Sequence, residues 1–270
     1  MSGFSLRAYR SLLRTACDAG WRVVRYPEDG PPRSGEILLR HDVDYSVQLA
    51  LEMARANAEL GVRGTFFLLL QSDLYNLMSP PNLRAARAIH EAGQTLGLHF
   101  PMPKAGVDAD LVIDLVLAEL ARMRDVLPVE QVFAWHNPTT DALSAFGELT
   151  APGLINVYAP PFCVSTRYRS DSNLRNSPDD FSALLLGEDR SPLHLLFHPL
   201  NWVVGGRDMI EILRGAWAQV IREREHDFLT NCVYRDALPH GVPGHVIDRY
   251  AQDWEAAART GGLALGGVER

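Results

Sequence analysis

Short apolar runs alternate with amphipathic stretches along much of the chain. The apolar runs predict strands at 21–26, 36–40, 64–70, 95–100, 131–135 and 192–199. The amphipathic stretches, with apolar residues three or four positions apart, predict helices at 1–20, 46–61, 82–93, 108–127 and 208–226. Strands and helices that alternate at this spacing indicate βα units and a parallel sheet or barrel.

The pattern becomes less regular after Thr150, where loop-rich sequence with isolated strand-like stretches precedes the strand at 192–199. The chain contains no solenoid-type repeat, low-complexity tract or stretch that resembles an interdomain linker. We therefore predict one domain over residues 1–270. A chain of this length that is 47% hydrophobic is long enough to bury one large core.

Charge and cysteine content narrow the class of protein. The formal net charge is −7, which disfavours binding to nucleic acid or to an anionic membrane surface. No run approaches the roughly 18 apolar residues that span a bilayer. The N-terminal stretch has arginines among its apolar positions and does not resemble a signal peptide. Three widely separated cysteines indicate a reducing compartment, so we expect a cytoplasmic protein.

Polar residues follow four of the predicted strands at the point where each strand ends. In parallel sheets, ligand-binding groups collect at the carboxyl ends of the strands. The residues at these ends are His41-Asp42-Val43-Asp44 after ILLR, His99 after TLGL, His136 after VFAW and His198 after LHLLF. We therefore expect these imidazoles and carboxylates to converge on one edge of the sheet.

The first of these motifs carries two carboxylates on one face. Strand alternation directs Asp42 and Asp44 to the same side and His41 to the opposite side, where a supporting role is expected. The structural alternative is that the carboxylates cap the helix that begins near Ser46.

Two histidines need separate consideration. His99, taken alone, is better explained as a core histidine bonded to a backbone carbonyl. His194 and His198 have the HxxxH spacing of a helical metal motif, but the surrounding LHLLFHP predicts a strand. We therefore predict a structural role for His194.

These residue types suit metal-assisted hydrolysis. Two imidazoles and a carboxylate hold a divalent ion with positions left for water and substrate. The ion acidifies water and polarises a carbonyl, a second carboxylate accepts a proton, and another histidine protonates the departing amine. The groups available for these tasks are Asp42, Asp44, His99, His136 and His198.

The order of these motifs resembles the polysaccharide deacetylase family, which is the NodB-homology domain or carbohydrate esterase family 4. The likeness is greatest to a divergent intracellular branch with an RHDVD first motif. It covers about residues 36–205 and runs through LLRHDVDYS, GVRGTFFLLLQSDLYN, IHEAGQTLGLHF, FAWHNPT, YRSDSN and LLFHPLNW. The resemblance implies a deformed (β/α) barrel with a mostly parallel sheet that removes an acetyl or formyl group from an amino sugar.

The first motif departs from the family pattern. Family members usually have adjacent aspartates, of which one is a base and one a metal ligand, whereas Val43 separates them here. By their order, the resemblance assigns Asp42 as general base and Asp44 as metal ligand, although the two roles are exchangeable at this stage.

The expected set of metal ligands also departs from the family pattern. Pro103 occupies the position where the family has a second histidine after His99, and His136 occupies the position of a family arginine. Our hypothesis is that His136 replaces the missing ligand and completes a site with Asp44 and His99. Zinc is the first choice for these ligands, and nickel, cobalt and manganese are also compatible with them.

The last two motifs supply the remaining residues expected to take part in catalysis. His198 matches the family's acid-side histidine, and Asp171 in YRSDSN is expected to orient it. Trp135 and Trp202 flank these motifs, where they would serve either as sugar-stacking surfaces or as core aromatics.

The predicted function is a cytoplasmic, metal-dependent N-deacetylase or deformylase. Its expected substrate is a small amino-sugar precursor of a surface polysaccharide, free or linked to a nucleotide or lipid. The main alternative is a catalytically inactive carbohydrate-binding relative that lacks a complete metal site. A glycosidase that uses Asp42 and Asp44 fits less well, because two residues of one strand do not readily flank a glycosidic bond. The sequence does not predict an oligomeric state.

Overall fold

A single parallel sheet organises the structure, a computed structural model that describes residues 3–237. Among these residues every strand pairing is parallel. The strands are β1 (Arg22–Val24), β2 (Glu36–Val43), β3 (Thr65–Leu69), β4 (Thr95–Pro101), β5 (Val129–His136), β6 (Ile155–Asn156), β7 (Arg167–Ser170) and β8 (Leu193–Phe197).

Helices connect most of these strands. They are α1 (Leu6–Asp18), α2 (Tyr26–Asp29), α3 (Val47–Glu59), α4 (Pro80–Glu91), α5 (Ala109–Arg124), α6 (Thr140–Phe146), α7 (Pro178–Leu186), α8 (Met209–Thr230) and α9 (Cys232–Ala237). Short polar side chains begin several of them: Ser46 caps α3, and Asp108 caps α5. Gly61 and Gly93, both at positive φ, follow the ends of α3 and α4 as the sequence predicted.

The strand order is β6-β5-β4-β3-β2-β8-β7, with β1 also paired to β2. The sheet curls into a half-barrel with helices around it, because each βα unit returns the chain to the same side of the sheet. The predicted fold class, a deformed (β/α) barrel with a parallel sheet, is confirmed. Every predicted strand and helix is present with its ends shifted by a few residues.

The segment after residue 150 contains more regular structure than its sequence suggests. β6 has only two residues, and β7 reads RYRS, so neither has an apolar run that would identify it. α7 is short and begins at Pro178, and its capping box between Ser177 and Asp180 lies in sequence that otherwise looks like a loop.

Alternation along the strands gives the sheet two different apolar faces. The outer face packs against the helices, where Leu39 and Val43 of β2 join Tyr9 and Met53 in the larger core. The inner face encloses a smaller core of Leu38, Phe67, Val132 and Ala134 with Tyr26 and Phe162. This arrangement directs the even-numbered residues of β2 into the barrel.

The chain divides into two compact units, with the boundary after Ile212. The sheet lies in the first unit. Residues 238–270 lie outside the described structure, so the single domain over residues 1–270 stays a prediction. Within residues 3–237, no helix combines the length and apolar character needed to cross a membrane. The three cysteines are free thiols.

Candidate metal centre

The carboxyl ends of five strands bring the predicted site residues to one edge of the sheet. Asp42 is on β2 and Asp44 directly follows it, whereas His99 lies near the end of β4 and His136 ends β5. Asp171 and His198 directly follow β7 and β8. Because β4 pairs with β5 and β2 pairs with β8, residues far apart in sequence become neighbours.

Three of these residues form a compact set of donor atoms. Asp44 Oδ1 lies 3.0 Å from His99 Nε2 and 3.2 Å from His136 Nδ1. The two imidazole nitrogens are 3.1 Å apart, so the three atoms form a nearly equilateral triangle. Donors that share a metal ion at bond lengths of about 2.0–2.2 Å are separated by such distances. Asp44, His99 and His136 could therefore hold a metal ion together.

The bonding of these atoms agrees with that interpretation. Asp44 Oδ1 is buried and has no hydrogen-bond partner among the described residues, although a buried carboxylate oxygen normally has one. His99 Nδ1 lies 3.0 Å from the carbonyl oxygen of Ala134, which leaves Nε2 free as a ligand. Burial acts to raise the pKa of Asp44, but the neighbouring imidazoles of His136 and His99 lower it well below its usual range. The donor set fits a divalent ion such as zinc.

Asp42 has a different environment from Asp44. Its two oxygens accept hydrogen bonds of 2.7 and 2.6 Å from Nε and Nη2 of Arg40, and its Oδ2 lies 3.6 Å from His99 Nε2. Burial acts to raise the pKa of Asp42, but the Arg40 cation lowers it overall, so the carboxylate stays ionised. The geometry thus places Asp44 in the donor triangle and Asp42 beside it.

His198 also lies next to the triangle. Its Nδ1 lies 2.5 Å from Asp171 Oδ1, and its Nε2 lies 3.7 Å from Asp44 Oδ2. The Nε1 of Trp202 and the backbone N–H of His198 both donate to Asp171 Oδ2, which fixes the carboxylate. Burial acts to lower the pKa of His198. The carboxylates of Asp171, Asp44 and Asp42 outweigh that effect and raise the pKa to about 9.

A pocket of about 420 Å³ opens over these groups. Besides the site residues, its walls include Tyr45, Asn137, Tyr158, Tyr168, Asn173 and Asn201. Three of these, Tyr158, Tyr168 and Asn173, come from the irregular part of the sequence after Thr150. The pocket is large enough for a small molecule of one or two rings.

Several sequence expectations concern residues around the pocket. His41 lies on the outer face, where its Nε2 is 2.7 Å from Tyr9 Oη, which agrees with a supporting role. His194 is buried in β8, with its Nε2 2.7 Å from Tyr26 Oη, and lies on a strand as predicted. Trp135 and Trp202 are fully buried, so the core-aromatic alternative holds and neither ring face is open to a sugar.

Arg40 and Tyr158 belong to the site but were missed from the sequence. Arg40 Nη2 lies 3.3 Å from Tyr158 Oη, and the guanidinium lies over the Tyr158 ring. The signal for Arg40 was present, because a cation two residues before Asp42 shares its face of the strand. Tyr158 follows an irregular segment, and no periodicity indicates where its side chain points.

The sequence matches no protein-family model and no curated protein. The fold is similar to the chitin deacetylase of the fungal pathogen Colletotrichum lindemuthianum, with 15% identity, a TM-score of 0.44, and coverage of 70% of this chain and 84% of that one. A family 4 carbohydrate esterase from Bacillus anthracis shows 14% identity and a TM-score of 0.39 over 80% of this chain and 86% of its own. The peptidoglycan N-acetylglucosamine deacetylase domain from Eubacterium rectale shows 14% identity and a TM-score of 0.41 over 68% and 84%. These values do not assign the chain to a family.

Proposed function

We propose that this protein is a metal-dependent hydrolase that removes an N-acetyl or N-formyl group from an amino sugar. The observation that carries the proposal is one pocket with three kinds of group at its base. The first is the donor triangle of Asp44, His99 and His136, and the second is the ionised carboxylate of Asp42. The third is the imidazole of His198, which is paired with the carboxylate of Asp171. Metal-assisted amide hydrolysis uses a metal ion, a general base and a general acid, and these groups can supply all three.

The triangle would hold the metal ion through one carboxylate oxygen and two imidazole nitrogens. When bound, a divalent ion at this position supplies Lewis acidity to the acyl carbonyl and to water. The sequence resemblance left the roles of the two aspartates exchangeable. We assign Asp44 as the ligand because its Oδ1 belongs to the triangle, whereas both oxygens of Asp42 bond to Arg40.

Asp42 is the proposed general base. The hydrogen bonds from Arg40 hold its carboxylate in one orientation, and its Oδ2 is the oxygen nearer to the triangle. It would accept a proton from the attacking water as the water oxygen bonds to the acyl carbon.

His198 is the proposed general acid. Asp171 binds Nδ1 and so leaves Nε2 as the nitrogen that faces the pocket. As the bond between the acyl carbon and the nitrogen breaks, Nε2 would donate a proton to the amine. The products are a carboxylic acid and a free amino sugar, so the step consumes one water and no other reactant.

The more specific parts of the proposal, which concern the family branch, the cellular location and the substrate, come from the sequence. The RHDVD motif is the basis for the divergent branch of the deacetylase family. The cytoplasmic location and the role in surface polysaccharide synthesis follow from the cysteine pattern and that resemblance. The substrate would then be an amino-sugar precursor, free or linked to a nucleotide or lipid.

Elemental analysis and an activity screen test this proposal together. The purified protein is expected to hold about one divalent ion. It is also expected to release acetate or formate from a panel of N-acetyl and N-formyl amino sugars and sugar nucleotides. Chelation is expected to abolish release, and added zinc, cobalt, nickel or manganese to restore it. His90→Ala, at an exposed position on α4, is the control variant.

Other outcomes identify the alternatives. A protein that binds sugar but holds no metal and releases no acid would be the inactive carbohydrate-binding relative. Formation of reducing ends in the presence of chelator would indicate a glycosidase.

A further inference from the structure

The two histidines of the triangle present different nitrogens to it. His99 uses Nε2, and its Nδ1 is paired with a backbone carbonyl of β5. His136 uses Nδ1, and its Nε2 lies 2.9 Å from the side-chain amide of Asn137. A metal-binding histidine needs an acceptor for the N–H of its other nitrogen, because that hydrogen bond fixes the tautomer.

We propose that Asn137 is a positioning residue whose side-chain amide accepts the Nε2–H of His136 and so holds the tautomer in which Nδ1 can bind an ion. This inference rests on the metal site of the proposed function. It concerns a residue to which the sequence assigned no role.

The side-chain amide of Asn137 can meet Nε2 of His136 in either of two orientations, because its oxygen and nitrogen have nearly the same shape. With Nδ2 towards Nε2, the imidazole proton would be on Nδ1, which would then have no lone pair for a metal ion.

Holding an ion requires the other tautomer. Once Nδ1 gives its lone pair to the ion, the proton lies on Nε2, which becomes a donor. With Oδ1 towards Nε2, the amide of Asn137 accepts this proton and holds the ring in the tautomer that binds the ion.

The backbone of Asn137 explains why this residue suits the position. Its φ is +48°, in the left-handed region that asparagine, aspartate and glycine tolerate better than other residues. A glycine can therefore replace Asn137 without backbone strain, and an aspartate can supply an acceptor in the same place.

Zinc titration of the full chain, against a chromophoric chelator and without substrate, tests the proposal. Asn137→Gly is expected to weaken zinc binding at least about tenfold, as is typical when the outer partner of a metal-binding histidine is lost. Asn137→Asp is expected to bind at least as tightly as the wild type, since it can only accept. Asn173→Gly is the matched control, because Asn173 also has a positive φ and lines the pocket. Its affinity is expected to be unchanged.

The inference is overturned if Asn137→Gly binds zinc as tightly as the wild type, or if Asn137→Asp is as weak as Asn137→Gly. Nitrogen-15 shifts of the His136 ring in metal-free protein give a second readout. Asn137→Asp is expected to show the Nε2–H tautomer and Asn137→Gly a larger share of the Nδ1–H tautomer; the same tautomer in both would refute the role of Asn137. If the wild type binds no zinc, the metal-dependent function fails, and these shifts alone decide the role of Asn137.

Discussion

Arg40 and Asp42, two residues apart on β2, face each other inside the barrel through two hydrogen bonds. Both side chains are almost completely buried, with 0% and 4% of their surface exposed. Arg40→Met would leave the Asp42 carboxylate buried without its cation, and we expect a loss of about 3–5 kcal/mol of stability. Chemical denaturation measures this loss.

Two further variants separate this pair from the general effect of losing an arginine. Arg40→Met combined with Asp42→Leu is expected to recover most of the lost stability, because neither charge of the pair remains. Arg55→Met removes an exposed ion pair with Glu52 and is expected to cost at most about 1 kcal/mol. A double variant as unstable as Arg40→Met would contradict the charge argument.

Removal of His136 tests the triangle directly. His136→Ala takes away one of three donors, and we expect metal affinity to fall by about 100-fold or more, beyond the usual effect of an outer partner. Equilibrium dialysis followed by elemental analysis measures the bound ion. Unchanged stoichiometry and affinity in His136→Ala would remove this residue from the site.

Asp171 is expected to matter for turnover and not for metal binding. Asp171→Asn removes the carboxylate that raises the pKa of His198 to about 9. That pKa then falls, because burial still lowers it while only Asp44 and Asp42 still raise it. The acid form is therefore lost at lower pH, and kcat falls by about 10²–10⁴-fold near neutral pH. Release of acetate or formate as a function of pH measures this change.

Trp202→Phe provides a comparison, because it removes only one N–H donor from the same carboxylate. Its loss of activity is expected to be smaller than that of Asp171→Asn. Bound metal in Asp171→Asn is expected to equal that of the wild type, and a loss of metal would show that Asp171 acts on the triangle instead.

His194 makes the fold sensitive to acid. Burial, followed by the nearby Arg40 cation, lowers the pKa of His194 to about 3. The unfolded chain takes up this proton below about pH 6.5, whereas the folded protein does not until about pH 3. The folded state therefore loses about 1.4 kcal/mol per pH unit from this residue as the pH falls through that window.

His194→Gln is expected to reduce the slope of unfolding free energy against pH by about one proton between pH 6 and 4. His41, whose pKa burial also lowers to about 3, keeps part of the slope in this variant. The exposed His90→Gln is the control, with no expected change in slope. An unaltered slope in His194→Gln would show that the imidazole takes up its proton in the folded state.

Gly97 is required by the packing inside the barrel. A Cβ at this position would lie 2.6 Å from Cε1 of Phe67, so the ring would have to move. Gly97→Ala is expected to cost about 1–3 kcal/mol in thermal or chemical unfolding. Gly187→Ala, with a nearest neighbour at 3.5 Å, is the control, and Phe67→Leu is expected to relieve the strain of Gly97→Ala.

Long, periodic elements were predictable from the sequence because the apolar residues that form their packing surfaces recur in a regular local pattern. β2, β4 and β8 have continuous apolar runs, and α3 and α5 have regular apolar spacing. β7 and α7 were not predicted, because their stability comes from pairing with β8 and from packing that involves distant parts of the chain.

The sequence by itself determined which side chains stand at the strand ends and which face each one takes, because strand alternation is a local rule. Only the tertiary structure decided that Asp44 joins His99 and His136 while Asp42 pairs with Arg40. It also decided that Asn137 contacts His136 and that Trp202 bonds to Asp171 instead of facing a sugar. Those choices depend on the curl of the sheet and on atoms from different strands meeting within about 3 Å, which no local pattern encodes.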